Sequence, residues 1–531
     1  MNKVIYEGVV IYQVYPRSFF DSNNDGIGDL PGIIEKLPYI KNLGADYVWI
    51  SPFFTSPMKD FGYDVSDYKD VDPIFGNIHD FKTLVAKAKA LDLKVMIDMV
   101  ISHTSDVHPW FLESSKSRSN PKKDWYVWAD AKNDQGPNNW LSVFGGSSWE
   151  YHEQRRQYYL HNFLKEQPDL NFHCPEVQDA VLDACEFWLK IGVEGFRLDT
   201  VNFYFHDFRL RNNPLLKEKP KVLDAFDSNP YILQDHIYDK NQPENLKFLK
   251  RLRSLADQYG AILLGEVGAN LETNRIIQEY TEGTDKLHLC YGFGYIGGPF
   301  QANYFQKEIS TFWEEAPSSM ICNAFGNHDS TRWASRFDYD RVHEMDFFRL
   351  VFTLLGVLKG AMCIYQGEEL GLSEYVIQEH ELQDPYGKRF YPVFKGRDGC
   401  RTPFVWDKTK PNAGFNQGQK TWLPVPKEHI HLSANQQLEN KESLLLYVRE
   451  FLKWRKSLPV LLSGQIQAEV FQDDILRLTR FDAQAGKKLD LYFNFSHRSQ
   501  NLNLPHKKVL KQQNWKGENQ NLGAYGFVIF E

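Results

Sequence analysis

Through residue 369 the chain alternates between two kinds of apolar pattern. The first is a short run, apolar nearly throughout, that ends in polar or charged residues. Such runs are VVIYQVYP at 9–16, ADYVWISP at 45–52, KVMIDMVISH at 94–103, EGFRLDT at 194–200, AILLGEV at 261–267, HLCYGFG at 288–294, ICNAFGNHD at 321–329 and AMCIYQGEE at 361–369. Continuous runs of this length predict strands buried on both faces. The second pattern spaces its apolar residues for a helix. DLPGIIEKLPYIKNLG closes on a glycine, and NIHDFKTLVAKAKALDL sets Phe81, Leu84, Val85 and Ala88 on one face. CPEVQDAVLDACEFWLKIGV starts at a proline and aligns Val177, Val181, Leu182, Cys185 and Leu189. NLKFLKRLRSLADQYG and MDFFRLVFTLLGVLKG each precede a strand.

Strand followed by helix, repeated eight times, predicts an α/β fold: a parallel (β/α)8 TIM barrel. A doubly wound open sheet is the alternative. The barrel is favoured because the polar residues fall at the C-terminal strand ends, the face on which barrels carry their active sites.

Three stretches break the rhythm. After VISH at 103 no barrel-like helix begins until about 175, and residues 104–173 are rich in Trp, Asn, Gly and Ser. A structureless loop of that size is improbable, so 104–173 is expected to be an inserted subdomain over the barrel mouth. The barrel itself then comprises 1–103 and 174–456. An irregular wall near 373–432, rich in Pro, Gly, Gln and aromatics, follows the eighth strand. From about 457 the pattern becomes strictly alternating, in AEVFQ, ILRLTRF, KLDLYFNFS, LNLPH and YGFVIFE. That predicts a C-terminal antiparallel β-domain over 457–531.

Composition narrows the function class. The 531 residues carry a formal net charge of -8 and no Lys/Arg-rich block, which argues against nucleic acid and against a polybasic membrane contact. No apolar stretch approaches the roughly 20 residues of a membrane span, and the N-terminus lacks an apolar segment followed by a cleavage site. The six cysteines, 174, 185, 290, 322, 363 and 400, show no paired metal spacing. A reduced, cytoplasmic protein is expected. Aromatics, at 15%, are abundant enough to pack cores and also to stack on flat ligands.

Residues 194–203 read EGFRLDTVNF. Side chains alternate faces along a strand, so Arg197 and Asp199 point the same way. Asp199, Glu266 in LLGE and Asp329 in FGNHD end three different strands, and a barrel gathers strand ends around one pocket. Two carboxyls flanking a scissile bond divide nucleophile and acid/base duties. On this reading Arg197 lowers the pKa of Asp199 and holds it ionised. The apolar lead-in AILLG is consistent with a raised pKa for Glu266, which must start protonated. Asp329, with His103 and His328, is placed to hydrogen-bond sugar hydroxyls. Any one of these residues alone reads as a salt bridge, a cap or a core histidine; the reading rests on the set.

In order and spacing, DMVISH, GFRLDTVNF, LLGEV and FGNHD resemble the four signature regions of the alpha-amylase family, glycoside hydrolase family 13. QPDLN at 167–171 resembles a fifth, in the form found in the oligo-1,6-glucosidase and alpha-glucosidase branch. The likeness runs from YQVYPRSF through the C-terminal segment. It implies a retaining, exo-acting alpha-glucosidase that cleaves short alpha-glucosides by double displacement, with transglucosylation as a competing outcome. It implies Asp199 as nucleophile, Glu266 as acid and then base, and Asp329 as transition-state stabiliser, with Arg197, His103 and His328 around the same sugar. KDFGYD implies that Asp60 binds a non-reducing-end hydroxyl and that Tyr63 stacks under the ring. Phe144, Phe163 and Gln167 are implied to line the pocket. GRDGCRTPFVWD implies that Arg397 reaches the terminal glucose, with Arg401 a further candidate. Thr200 resembles the alpha-1,4-acting members, where alpha-1,6-acting ones carry valine, and so implies a maltose-like substrate. Oligo-1,6-glucosidase, trehalose-6-phosphate hydrolase and sucrose isomerase are the alternatives within the branch. The chain departs from the family pattern at Ser102, where asparagine is usual, and at Cys400.

DSNNDGIGD at 21–29 alternates oxygen donors, Asp21, Asn23, Asp25 and Asp29, about Gly26, as an EF-hand loop begins. A metal-free Asx-rich turn uses the same residues. The family resemblance implies a structural Ca²⁺ or Mg²⁺ here, with the Ile27 carbonyl as a further ligand; the carboxylate chemistry itself needs no cofactor. The expected partner is a small alpha-glucoside, and the oligomeric state is open between monomer and homodimer. Two other classes fit less well. A transporter-ectodomain barrel would carry a span and would have lost the acids. A metal-dependent barrel hydrolase would need clustered His and Asp ligands, and His103 and His328 are the only candidates.

Overall fold

The computed structural model describes residues 6–217, 225–268, 271–504 and 507–531. All eight expected strands form: β1 Val10–Val14, β2 Tyr47–Ile50, β3 Lys94–Met99, β4 Gly195–Leu198, β5 Ile262–Glu266, β6 Leu289–Tyr291, β7 Cys322–Asn323 and β8 Ala361–Tyr365. They lie in the order β6-β5-β4-β3-β2-β1-β8-β7, every pair parallel. The ring closes where Cys290 of β6 bridges Ile321 beside β7, with the Cys290 N–H donating to the Met320 carbonyl at 3.1 Å. The fold is therefore a barrel and not an open sheet. Inward residues such as Ile11, Trp49, Met96, Leu264 and Cys363 pack its interior, so it is a filled core and not a channel.

Helices cover the outside. They are α1 Leu30–Leu43, α2 Ile78–Ala90, α3 Pro175–Ile191, α4 Asn245–Tyr259, α5 Thr273–Thr281, α6 Ala302–Glu315, α7 Glu344–Val357 and α8 Leu444–Lys456. Local sequence sets their ends. Asp29 caps α1, and Gly44, at φ 108°, stops it. Asn77 and Asp80 form a capping box on α2. The helical spacing read from the sequence does not pick out α5 and α6, whose buried residues stand among polar ones.

Two features of the register matter for the site. Asp98 on β3 lies opposite Arg197 on β4, and Leu198 lies opposite Gly265 on β5. The next residues, Asp199 and Glu266, therefore leave adjacent strands level with each other. The expected seventh strand is too long. β7 is only Cys322–Asn323, so Asp329 stands on a loop beyond the sheet.

Between β3 and α3 the chain forms a short helix, Pro109–Ser114, and a three-stranded antiparallel sheet of Trp128–Ala129, Gln157–Leu160 and Trp149–His152. Hydrogen bonds from Thr104 N–H to Pro168 and from Leu170 N–H to Ser102 tie its two ends together at the barrel rim. The C-terminal strands, Gln465–Gln472, Ile475–Asp482, Lys487–Asn494 and Asn521–Phe530, are antiparallel. Val509–Lys516 is a further strand, hidden in the sequence by its polar run KQQNWK. The expected strand LNLPH is reduced to Gln500–Asn501 just before it, and residues 505–506 lie outside the described residues.

Arg480 ties this sheet to the barrel. It is fully buried and donates to the carbonyls of Val357 at 2.6 Å and Gly464 at 2.8 Å, and also to those of Leu358 and Gln465. Removing it takes a donor away from each of those carbonyls. Arg480→Met should lower unfolding stability by on the order of 3 kcal/mol, read from the denaturant midpoint.

Candidate active site

Arg197 is fully buried and holds three carboxylates at once. Its Nη1 donates to Asp98 at 2.8 Å and to Asp199 at 2.6 Å, and its Nη2 donates to Glu266 at 2.5 Å. Tyr291 Oη, at the end of β6, accepts from Nη2 at 2.8 Å. One guanidinium fork thus clamps the ends of β3, β4 and β5. Glu266 accepts on one oxygen, Oε2, from both Arg197 and the Thr200 N–H, the latter at 3.2 Å. Thr200 reaches that position with φ 43° and ψ 47°, a left-handed conformation that is rare and strained for a β-branched residue.

These groups open onto a cavity of about 360 Å³. Its far end is closed by an ion pair between Asp60 and Arg397 at 2.7 Å. Arg397 also pairs with Asp384 at 2.8 Å and with Asp329 at 3.1 Å. Arg401 holds the same Asp329 oxygen at 2.6 Å. Tyr63 donates to Asp98, and its Oη lies 2.6 Å from His328 Nε2. Gln13 contacts the other ring nitrogen of His328 at 2.7 Å. Gln167 bridges Asp60 and the Tyr63 carbonyl, and His103 contacts that carbonyl through Nε2.

The charge balance differs from the simple expectation for Asp199. Burial pushes Asp199 up to about 7; Arg197 opposes this, and the like charge of Asp98 adds to it. Glu266 is likewise raised to about 7, by burial first and by Asp199 and Asp329, against Arg197. Arg197 does not hold Asp199 low, because its one positive charge is shared among three acids in a dry site. Asp329 behaves oppositely. Burial raises it, but His328, Arg397 and Arg401 together hold it well below the usual carboxylate range. Burial pushes the His328 ring to about 3, so it is neutral at ordinary pH and the two guanidiniums carry the effect.

Of the expected site residues, Asp60, Tyr63, His103, Phe144, Phe163, Gln167, Asp199, Thr200, Glu266, Asp329 and Arg397 line the cavity. Arg197, His328 and Arg401 do not; they stand behind the wall and hold lining groups in place. Sequence reading missed Asp98, Asp384 and Tyr291. Asp98 carried a signal, an acid at an inward position inside the apolar run KVMIDM. Asp384 caps a short helix that starts at Pro385, and that local role masks its pairing with Arg397.

Comparison with known proteins agrees with this geometry. The family model for the alpha-amylase catalytic domain matches residues 13–464. The chain belongs to the alpha-amylase family. It is 51% identical to a probable alpha-glucosidase of Rhizobium meliloti (strain 1021), covering 95% of this chain and 92% of that protein. An oligo-1,6-glucosidase of Parageobacillus thermoglucosidasius is 35% identical, with 96% and 94% covered. The crystal structure of an alpha-glucosyl transfer enzyme, XgtA, is 47% identical and superposes with a TM-score of 0.94 over 100% of this chain and 99% of that one.

The two departures from the family pattern have visible surroundings. Ser102 Oγ lies 2.8 Å from His103 Nδ1 and 3.1 Å from Thr200 Oγ1, so the short hydroxyl still links the histidine to the turn that follows β4. Cys400 packs against Tyr15 and Tyr365, its thiol donating to the carbonyls of His328 and Arg397.

The 21–29 loop folds as successive Asx turns. Asp21 accepts from Asn24 N–H, Gly26 N–H and Asn416; Asp29 accepts from Gly32 N–H and from both the N–H and hydroxyl of Ser22. Asn23 and Asp25 accept from Asp25 N–H and Ile27 N–H. Among the described residues no three His, Cys, Asp or Glu side chains gather around one point. An ionised carboxylate offers about four lone-pair sites, so Asp21 and Asp29 each retain one, and the donor set suits a hard divalent ion.

The raised acid has a cost in stability. Burial disfavours ionised Glu266 only in the folded chain. Below pH 4.5 the group is protonated folded or unfolded and the cost is absent; it grows as pH rises and is full above about 7. Glu266→Gln should therefore be more stable than the parent by on the order of 3 kcal/mol at pH 8. The gain should shrink towards zero near pH 4, followed by thermal unfolding across that range.

Proposed function

We propose that this chain is a retaining, exo-acting alpha-glucosidase that hydrolyses the terminal bond of short alpha-glucosides. The observation that carries this reading is the pair Asp199 and Glu266, level on adjacent strands and gripped by one guanidinium, facing a cavity with a closed end. Both carboxyls lie within 2.6 Å of the nitrogens of one guanidinium, an arrangement compatible with the roughly 5–5.5 Å carboxyl separation of retaining enzymes.

A terminal glucose enters until it meets Asp60 and Arg397. Asp199 attacks the anomeric carbon while Glu266 protonates the departing oxygen through Oε1, the oxygen that Arg197 does not hold. The glucosyl-enzyme then loses its sugar to water, deprotonated by Glu266. Burial and the neighbouring like charges raise both carboxyls, so the pair holds a proton further towards neutral pH than free carboxyls do. Asp329, kept ionised by Arg397 and Arg401, faces the sugar hydroxyls as positive charge develops on the ring. Thr200 beside the scissile bond supports alpha-1,4 preference.

A second reading, glucosyl transfer, is supported by the 47% identical transfer enzyme and by the apolar rings that line the cavity. A reduced cytoplasmic setting is supported by five buried cysteines and no disulfide. Among the described residues no helix is long and apolar enough to cross a membrane.

Glucose release from maltose should exceed that from isomaltose, trehalose, trehalose 6-phosphate and sucrose. Asp199→Asn should lower maltose turnover by on the order of 10⁴-fold while the fold is retained. Near-parental activity in that variant would sink the assignment.

We propose also that the 21–29 loop holds Ca²⁺ or Mg²⁺ in a structural role. Millimolar Ca²⁺ or Mg²⁺ should then raise the thermal midpoint, and Asp25→Ala should abolish the rise. An unchanged midpoint in the parent would leave the loop as a metal-free turn.

A further inference from the structure

Asp199 Oδ1 accepts from Arg197 at 2.6 Å. Oδ2 is the oxygen left for attack, and among the described residues the Thr200 hydroxyl is the one donor in reach of it, at 3.3 Å. That hydroxyl also lies 3.1 Å from Ser102 Oγ, which in turn lies 2.8 Å from His103 Nδ1. Thr200 has a single hydroxyl hydrogen for two candidate acceptors. Which acceptor receives it is decided at the far end of this chain of contacts.

His103 is buried, and burial pushes its ring down to about 4, so it is neutral and carries one hydrogen. Its Nε2 lies 2.9 Å from the Tyr63 carbonyl, which can only accept. The hydrogen is therefore assigned to Nε2. The Gln167 amide agrees with that tautomer. Its oxygen accepts from the Leu164 N–H, which fixes its orientation, and its two hydrogens have two acceptors of their own, Asp60 and the same carbonyl. His103 Nδ1 is left as an acceptor, so Ser102 donates to it. Ser102 Oγ then accepts from Thr200. The donations run from Thr200 to Ser102 to His103, away from the nucleophile.

We infer that Ser102 is a positioning residue that turns the Thr200 hydroxyl away from Asp199 Oδ2, leaving the attacking oxygen without a donor on it. The inference rests on the glucosidase reading of the site. In the attack, Oδ2 bonds to the anomeric carbon, the bond to the departing oxygen breaks, and that oxygen takes the Glu266 proton. A hydrogen bond on Oδ2 would stabilise the ionised carboxylate and weaken as its charge passes into the new bond, so it would oppose the step. Ser102 stands behind the cavity wall and acts without touching a sugar.

The test measures the pH dependence of kcat/KM on maltose in the parent, Ser102→Ala, Thr200→Val and the double variant. Without the Ser102 oxygen, the Thr200 hydroxyl turns to Oδ2. Ser102→Ala should lower the plateau of kcat/KM by about tenfold, within the worth of a hydrogen bond to an ionised group. Its acid limb should move to lower pH, because a donor on the ionised form favours that form. The charged groups that face Asp199, namely Arg197, Asp98, Glu266 and Asp329, are the same in parent and variants, so the shift reads the hydroxyl. In the Thr200→Val background the same substitution should change the plateau by less than about twofold and leave the limb in place, because no hydroxyl remains to turn. Equal losses in both backgrounds, or no loss in either, would overturn the inference and leave the glucosidase reading standing. So would a parent His103 ring whose nitrogen chemical shifts, assigned by their loss in His103→Gln, place the hydrogen on Nδ1. Absence of maltose cleavage by the parent would overturn the glucosidase reading and the inference with it.

Discussion

The site depends on one cation shared by three acids. Among the described residues Arg197 is the one cation paired with Asp98, Asp199 and Glu266, and its remaining partner is the Tyr291 hydroxyl. Burying an ion pair is costly unless every donor finds an acceptor, and here the fork is fully used. The price of that economy is a charge imbalance: one positive for three negative. Burial, together with that imbalance, keeps protons on the cluster into the neutral range, where the proposed acid and nucleophile must differ in protonation. A second cation here would hold all three acids ionised. Asp329, on the wall of the same cavity, shows that outcome, where Arg397 and Arg401 both reach it.

Much of this was legible in the sequence. The strands announced themselves because parallel strands buried on both faces must be continuously apolar, and the acids stood out as interruptions at their ends. Arg197 and Asp199 were placed on one face by alternation alone. Less legible were features that depend on neighbours far along the chain. Asp98 looks like any strand acid until the register sets it opposite Arg197. Asp384 reads as a cap because it is one. The pKa of Asp199 cannot be read from Arg197 alone, since the competing acids arrive from β3 and β5. Val509–Lys516 escaped because an edge strand with polar residues on both faces has no period to detect.

The same separation of local and distant information runs through the pocket. Residues in contact with the cavity came mainly from the motifs, whereas those behind it, His328 and Arg401 among them, act by holding others. A substitution behind the wall would change the site without touching a sugar. Gln13 on β1 is such a residue, fixing one nitrogen of His328 while Tyr63 contacts the other.

On the proposed reading the ion pair of Asp60 with Arg397 makes the cavity a room with one door. Whatever enters first leaves last. The aglycone stands between the bound glucose and the exit, so water reaches the anomeric carbon only after the aglycone has gone, and glucose departs only after that. Such an enzyme cannot slide along a polymer from one cut to the next. Each bond broken requires a complete departure and a fresh arrival, so the traffic through the doorway sets the pace as much as the chemistry inside.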